Sequence, residues 1–167
     1  AQPHLFALYA FNVEIARIRE TVSEPQIGLV RQQWWLDTID GVYAGRTPDH
    51  PVAQALAQAI AKGDLPKHAL HNLINAREFD LYGDPMPTLS DLEGYLGETS
   101  SSLIQMAALI LGKGAAEAAG LAGVAFGLAG VLRLQKSRYL PRDMVQALGE
   151  REIINQLTNQ CLLKRIV

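Results

Sequence analysis

Residues 5–25 read LFALYAFNVEIARIRETVSEP, and the spacing of the apolar side chains in this segment decides the fold class. These side chains recur at intervals of three or four residues, which places them on one face of a long helix. Pro25 pushes the residue before it out of helical geometry, so the helix is expected to end near residue 23. The side chains expected in the core are Leu8, Phe11, Ile15, Ile18 and Val22.

Helical signals continue along the rest of the chain. A second helix is predicted over residues 25–43, with Ile27, Val30, Trp34 and Val42 on or near its apolar face. No segment has the alternating pattern of a strand, and no repeat occurs at a fixed period, so we predict an all-α bundle. A capping box at Ser90-x-x-Glu93 begins one of the remaining helices. Those helices are predicted over residues 52–62, 66–81, 90–111, 115–134 and 153–166.

The composition is apolar for a soluble protein, since 49% of the 167 residues are hydrophobic and 19% are charged. It fits one domain with a large core, and also a protein that binds an apolar ligand or a membrane surface. The net charge of −2 gives no broad attraction to nucleic acid, which is therefore not an expected partner. No signal-peptide pattern opens the chain and its single cysteine cannot form an internal disulfide. We expect a cytoplasmic location, with peripheral attachment to the inner membrane as the open alternative.

Short motifs spread over most of the chain carry a family resemblance. The run Ala7-Leu-Tyr-Ala-Phe-Asn12 is followed one turn later by a charged patch and then by Ser23-Glu-Pro25. This run and the motifs after it resemble, in the same order, those of the squalene/phytoene synthase family. The later motifs are Leu29-Val-Arg-Gln-Gln-Trp-Trp35, His50-Pro-Val-Ala53 with Leu65-Pro66, Arg77-Glu-Phe-Asp-Leu81 and Tyr139-Leu-Pro141.

The resemblance implies an all-α barrel of the isoprenoid (terpenoid) synthase type. Residues 1–167 would form a single domain of this kind that lacks the family's C-terminal helices. Enzymes of the family join two prenyl diphosphates head to head, with Mg²⁺ holding the diphosphate groups. Paired carboxylates at i and i+4 suit this task, because they face the same way from one helix and offer hard oxygen ligands. Mg²⁺ is therefore the implied cofactor if the chain is a prenyltransferase.

The family's two aspartate motifs are only partly present in this chain. The first, Asp-x-x-x-Asp, falls on Ala16 and Glu20, and Leu134 stands where the second would begin. The resemblance leaves Glu20 and Asp80 as the acids on the metal side of the site. For Asp80 the alternative is an ion pair with Arg77 or another base, because an acid on an apolar stripe must be paired, hydrated or functional.

The other site residues implied by the resemblance are basic, polar or aromatic. Arg17 and Arg31 would hold diphosphate, since arginine can bind phosphate without a metal. The alternatives are a salt-bridged, solvated face for Arg17 and an ordinary surface position for Arg31. The set is completed by Asn12 and Arg133 for substrate binding and by Tyr9 and Tyr139 as catalytic candidates.

Four glycines recur at helical spacing in the helix predicted over residues 115–134, at Gly120, Gly123, Gly127 and Gly130. Each costs about 1 kcal/mol in a helix interior, so a compensating role is expected. Close packing against another helix is one interpretation, and room for a prenyl tail is the other. In the second interpretation, Phe126 and the aromatic residues of the first two helices would line the same space.

Two functions therefore stay open at the level of sequence. The first is a squalene/phytoene-synthase-like protein that binds a prenyl diphosphate or related isoprenoid lipid and catalyses head-to-head prenyl transfer. The second is a non-catalytic pseudoenzyme with a protein partner. The runs Ala10-Phe-Asn-Val-Glu14 and Arg31-Gln-Gln-Trp-Trp35 resemble a family branch that includes a mitochondrial assembly factor for respiratory complex I. In that branch the aspartate motifs are also eroded.

Overall fold

A computed structural model describes residues 1–46, 48–112, 114, 116–134, 137–148 and 155, and the regular elements in these ranges are all helical. The all-α prediction is therefore confirmed. None of the described helices combines the length and the apolar character that crossing a membrane requires. The α-helices are α1 Gln2–Ala16, α2 Ile18–Thr21, α3 Pro25–Tyr43, α4 Pro51–Gly63, α5 Lys67–Ala76, α6 Glu78–Leu81, α7 Leu89–Leu96, α8 Ser102–Ile110, α9 Ala116–Leu134 and α10 Arg142–Leu148.

Three helices that were predicted to be continuous are interrupted. The chain breaks at Arg17 between α1 and α2, and at Arg77 between α5 and α6, and both residues have ψ near zero. At each break the arginine carbonyl accepts a hydrogen bond from the N–H three residues later, so a new turn starts there. A π-helical turn over Gly97–Ser101 separates α7 from α8, where the Thr99 hydroxyl donates to the carbonyl of Tyr95. Apolar spacing does not reveal such breaks, because the buried face continues through them.

The predicted helix over residues 153–166 lies outside the described residues except for residue 155, and α10 was not predicted.

The described residues form two compact units, of which the first contains Ala1–Tyr82 and Met106–Ala116. In this unit α1 packs along α4, while α3 packs against α5 and α6. Gly28 permits the contact with α6, since a Cβ there would lie 2.5 Å from Leu81 Cδ2. The five α1–α2 side chains predicted for the core are all buried, as the spacing indicated. The largest fully buried side chains of this unit are Leu8, Phe11, Ile15, Ile39, Leu56, Leu65, Leu70, Leu73, Ile74 and Leu81.

The prediction of which face of α3 packs in the core is wrong. Ile27, Val30 and Trp34 are 45%, 70% and 45% exposed. Trp35 and Ile39 are buried instead. Helix α3 carries apolar residues on two sides, and the partners that select one side, Phe11 for Trp35 among them, are distant in sequence.

The second unit contains the described residues of Gly83–Gln105 and Glu117–Val167, and its central contact explains the glycine stripe of α9. A Cβ on Gly123 would lie 2.4 Å from Ser101 Cα, and one on Gly127 would lie 2.7 Å from Leu96 Cδ2. The Ser101 hydroxyl also donates to the carbonyl of Gly120 at 2.8 Å. Close helix packing is thus confirmed for three of the four glycines, whereas a Cβ on Gly130 would meet nothing within 4 Å.

The capping residue of α7 lies two residues earlier than the sequence indicated. Its N-cap is Thr88, whose hydroxyl accepts from the Asp91 N–H while the Asp91 carboxylate accepts from the Thr88 N–H, both at 3.1 Å. The predicted box at Ser90 and Glu93 is therefore wrong. Both pairs have suitable residue types three apart, and spacing alone does not decide between overlapping boxes.

Replacing the true cap gives a testable result. Thr88→Ala is expected to lower the free energy of unfolding by about 1 kcal/mol, because the Asp91 N–H loses its acceptor and the Asp91 carboxylate loses the hydroxyl donor. Ser90→Ala, at an exposed position inside α7, is the matched control and should change it little. Urea unfolding of the two variants measures both values, and a larger loss in Ser90→Ala would contradict the observed cap.

Asp40 links α3 to α5 through contacts with Lys67 and His71. Its Oδ1 lies 2.7 Å from Lys67 Nζ and 2.9 Å from His71 Nε2. The hydrogen bond from Lys67 holds the pKa of Asp40 below its ordinary value of 3.8. A carboxyl with a lowered folded-state pKa stabilises the fold above its unfolded pKa, and this contribution disappears as the pH falls through the folded value.

The difference in unfolding free energy between the wild type and Asp40→Asn should therefore be present at neutral pH and shrink as the pH falls below 3.8. Urea unfolding of both proteins over a pH series measures this difference in free energy. In a Lys67→Met background the same comparison should lose most of its pH dependence. A difference that stays constant down to low pH in the wild-type background would contradict the assignment.

Candidate functional site

The break at Arg17 shapes an open cleft of about 370 Å³ in the first unit. Helices α1 and α2 form one side of it, α3 forms the other, and the residue before α4 closes one end. Its side chains include three charged groups, two tryptophans and a histidine. They are Glu14, Arg17, Ile18, Thr21, Arg31, Trp34, Trp35 and His50.

One wall of the cleft is a cluster of aromatic rings. Trp35 is buried and meets Phe11 edge to face, with ring centroids 5.3 Å apart. Trp34 lies 5.0 Å from Trp35, and the His50 ring lies 5.4 Å from both indoles. His50 Nδ1 is buried and has no hydrogen-bond partner among the described residues, which leaves it able to bind water or a ligand. Edge-to-face packing of this kind makes the wall rigid.

The cleft also carries two exposed arginines, Arg17 at the break between α1 and α2 and Arg31 on α3. Arg31 Nη1 donates to Thr21 Oγ1 at 2.8 Å, and the Thr21 hydroxyl donates in turn to the carbonyl of Ile18 at 3.0 Å. Arg17 Nε lies 4.0 Å from Glu20 Oε2, with both side chains mostly exposed. The guanidinium groups therefore retain free donors toward solvent. Together with the aromatic wall, they can bind an anionic group that is attached to an apolar one.

The structure brings together Arg17 and Arg31 out of the residues predicted for the site. Asn12 is half-buried, and its Oδ1 has no hydrogen-bond partner in the part of the chain that the structure describes. Tyr9 and Glu20 are exposed on α1 and α2, and neither lines the cleft.

The other predicted residues lie elsewhere. Asp80 is buried and pairs with Arg77 at 3.1 Å, which is the alternative that the sequence had left open. Arg133 and Tyr139 belong to the second unit, where Arg133 is exposed and the Tyr139 ring lies 5.6 Å from Tyr95. Phe126 is 71% exposed on α9, so it does not line a buried space.

The described residues do not fit a magnesium site. Ala16 has no ligand atom, Glu20 faces Arg17, and Asp80 faces Arg77. Within the described ranges no three His, Cys, Asp or Glu side chains come together as metal ligands would. Mg²⁺ is usually held by one or two carboxylates together with the phosphate groups of the substrate. In the described part of the chain, the two predicted acids each face an arginine, and Mg²⁺ binding itself stays a prediction.

Sequence reasoning grouped the aromatic residues of the first two helices with Phe126 and did not predict the wall that Trp34, Trp35 and His50 form in the cleft. Trp34 was assigned to the buried face of α3, and His50 was treated only as part of a loop motif. Glu14 and Thr21 carried no signal of their own. Their shared spacing with Arg17 and Ile18, at i, i+3, i+4 and i+7, is the pattern that places them on one face.

The all-α architecture matches the isoprenoid-synthase fold. The crystal structure of squalene synthase HpnC from Alicyclobacillus acidocaldarius superimposes with a TM-score of 0.82, at 20% identity, over 98% of this chain and 70% of that one. The squalene/phytoene synthase family model matches residues 1–166, and the chain belongs to that family.

The chain also resembles curated proteins named NADH dehydrogenase (ubiquinone) complex I, assembly factor 6. It is 42% identical to the Bos taurus protein over 107 residues and 39% identical to the Homo sapiens protein over 108 residues. These matches cover 64% and 65% of this chain and 32% of each relative. The Drosophila melanogaster homolog is 34% identical over 137 residues, 77% of this chain and 41% of its own. The chain thus spans about a third of the length of the first two relatives.

Proposed function

We propose that this chain is a non-catalytic member of the squalene/phytoene synthase family that assists the assembly of respiratory complex I. The observation that carries the proposal is the state of the first aspartate motif. Ala16 offers no ligand atom, and the remaining acid, Glu20, is exposed and directed at Arg17. A prenyltransferase needs two carboxylate clusters to hold metal and diphosphate, whereas an assembly helper needs only a stable fold and a surface for its partner.

The names of the similar proteins support respiratory complex I as the partner. The Bos taurus and Homo sapiens proteins carry assembly factor 6 in their names, and they share about two fifths of their aligned residues with this chain. A helper that lacks catalysis would still retain the family's packing.

A second candidate is binding of a prenyl diphosphate or another isoprenoid lipid. Two exposed arginines beside an aromatic wall favour it, because the diphosphate would face the guanidinium groups and the prenyl chain would face the rings. In this candidate Mg²⁺ would be needed only for turnover. Peripheral contact with the inner membrane would accompany either function, and cell fractionation of the full-length protein measures whether it is cytoplasmic or membrane-attached.

Incubation of the full-length protein with farnesyl or geranylgeranyl diphosphate, with and without Mg²⁺, separates catalysis from binding. We expect no release of inorganic diphosphate under either condition, while an active squalene synthase in the same assay releases it. Saturable binding without turnover would support the second candidate. Metal-dependent release of diphosphate together with a condensed hydrocarbon would contradict the proposed function.

A further inference from the structure

The outward side of α3 carries three apolar side chains at helical spacing. Ile27, Val30 and Trp34 are 45%, 70% and 45% exposed. Trp34 also separates two depressions, because it lines both the arginine cleft and a second hollow of about 290 Å³. The second hollow is lined in addition by Asp37, Thr38, Gly41, Arg46, Pro48 and Asp49.

The two depressions have opposite charge. In the arginine cleft, Arg17 and Arg31 outnumber Glu14. In the second hollow, Asp37 and Asp49 outnumber Arg46. Asp37 accepts a hydrogen bond from Gln33 Nε2 at 2.8 Å, which holds this carboxylate in place at the surface.

We infer that this surface, the Trp34 groove formed by Arg17, Arg31, Trp34, Asp37 and Asp49, binds a short segment of a protein partner. The segment carries an acidic residue at one end, an apolar side chain in the middle and a basic residue at the other end. The inference rests on the proposed helper function, and it names the chemistry of the partner. The acidic residue pairs with the two arginines, the apolar side chain covers Trp34, and the basic residue pairs with the two aspartates.

Size and charge favour a peptide over a small anion. From residue 31 to residue 41, α3 advances about 15 Å, which an extended peptide spans with about five residues. A diphosphate group would satisfy the arginines, but the acidic hollow beyond Trp34 would repel it. Tryptophan and arginine are also the residues that most often dominate the energy of protein interfaces.

Selection of short random peptides on the immobilised full-length protein tests the inference. We expect enriched peptides to share the order acidic, apolar, basic, and to bind Trp34→Ala about tenfold more weakly than wild type, as expected for a truncated interface anchor. Phe126→Ala is the matched control, since it removes another exposed aromatic side chain, and it should leave binding unchanged. Arg31→Glu should select peptides with a basic residue in place of the acidic one.

Two results would overturn the inference. One is that the selected peptides bind Trp34→Ala as well as wild type, or that they share no order of acidic, apolar and basic residues. The other is binding of inorganic diphosphate that is lost in Arg31→Glu but unchanged in Asp37→Lys, which would make the cleft an anion site. Thermal unfolding confirms that each variant is folded. The helper role is tested separately, because a gene deletion that leaves complex I intact overturns that role, whereas full rescue by Trp34→Ala overturns only the groove.

Discussion

Phe11→Ala is expected to lower the free energy of unfolding by about 3–5 kcal/mol, the usual cost of emptying a buried phenylalanine site. Phe11 is fully buried at the centre of the first unit. Its ring supports Trp35 edge to face, and Trp35 in turn supports Trp34 and His50. The substitution therefore removes apolar contacts and also loosens the aromatic wall of the cleft.

Denaturant unfolding followed by circular dichroism measures this loss. Phe126→Ala provides the control, because Phe126 lies on the surface of α9 and should change the free energy by no more than about 0.5 kcal/mol. Tryptophan fluorescence should shift in Phe11→Ala and stay constant in Phe126→Ala. Equal effects of the two substitutions would contradict the assignment of the core.

Gly123→Ala is expected to destabilise the protein by about 1–3 kcal/mol or more, because a methyl group is forced into a packed contact. The new Cβ would lie 2.4 Å from Ser101 Cα and 3.0 Å from the Ser100 carbonyl oxygen. Both neighbours are backbone atoms, so they cannot rotate away as a flexible side chain would. The helix and the π-turn must separate to admit the methyl group.

Gly130→Ala is the matched control for this prediction. A Cβ at Gly130 meets no atom within 4 Å, so the helix should gain up to about 1 kcal/mol from the better propensity of alanine. The two substitutions, seven residues apart on one helix, are therefore predicted to have opposite signs. The urea midpoints of both variants measure the two changes in stability. If both substitutions destabilise the protein, or if neither does, the packing described for α9 is contradicted.

The fold was largely predictable because its signals are local. Buried positions at Leu8, Phe11 and Ile15 follow from spacing alone, and Pro25 marks the start of α3 with no help from the rest of the chain. The breaks at Arg17 and Arg77 were not predictable, because a local change of ψ leaves the apolar pattern intact. Local pattern thus identified the helices but not their kinks.

The candidate site was less predictable because it depends on contacts between distant residues. The resemblance paired Arg17 with Arg31, and the structure places both at the cleft. The aromatic wall could not be predicted from sequence, because local spacing does not show that Trp35, and not Trp34, packs against Phe11. A one-residue choice on α3 therefore decides which tryptophan packs in the core and which is left exposed at the cleft.

Helices α1 to α6 pack together in the first unit, and the chain belongs to the squalene/phytoene synthase family. The family resemblance places the first metal-binding acid at residue 16, which is an alanine in this chain. Such a chain can keep an interaction surface without keeping the chemistry. The exposed tryptophan and its two oppositely charged flanks are features that a partner protein could recognise.

The most direct measurement is the amount of assembled complex I in membranes after deletion of the gene, read as NADH:ubiquinone oxidoreductase activity and on native gels. We predict that complex I is lost and that both the wild-type gene and a Glu20→Gln variant restore it, because no metal-side acid is needed. Complex I that is unaffected by the deletion, together with disappearance of a squalene- or phytoene-type hydrocarbon, would contradict the account.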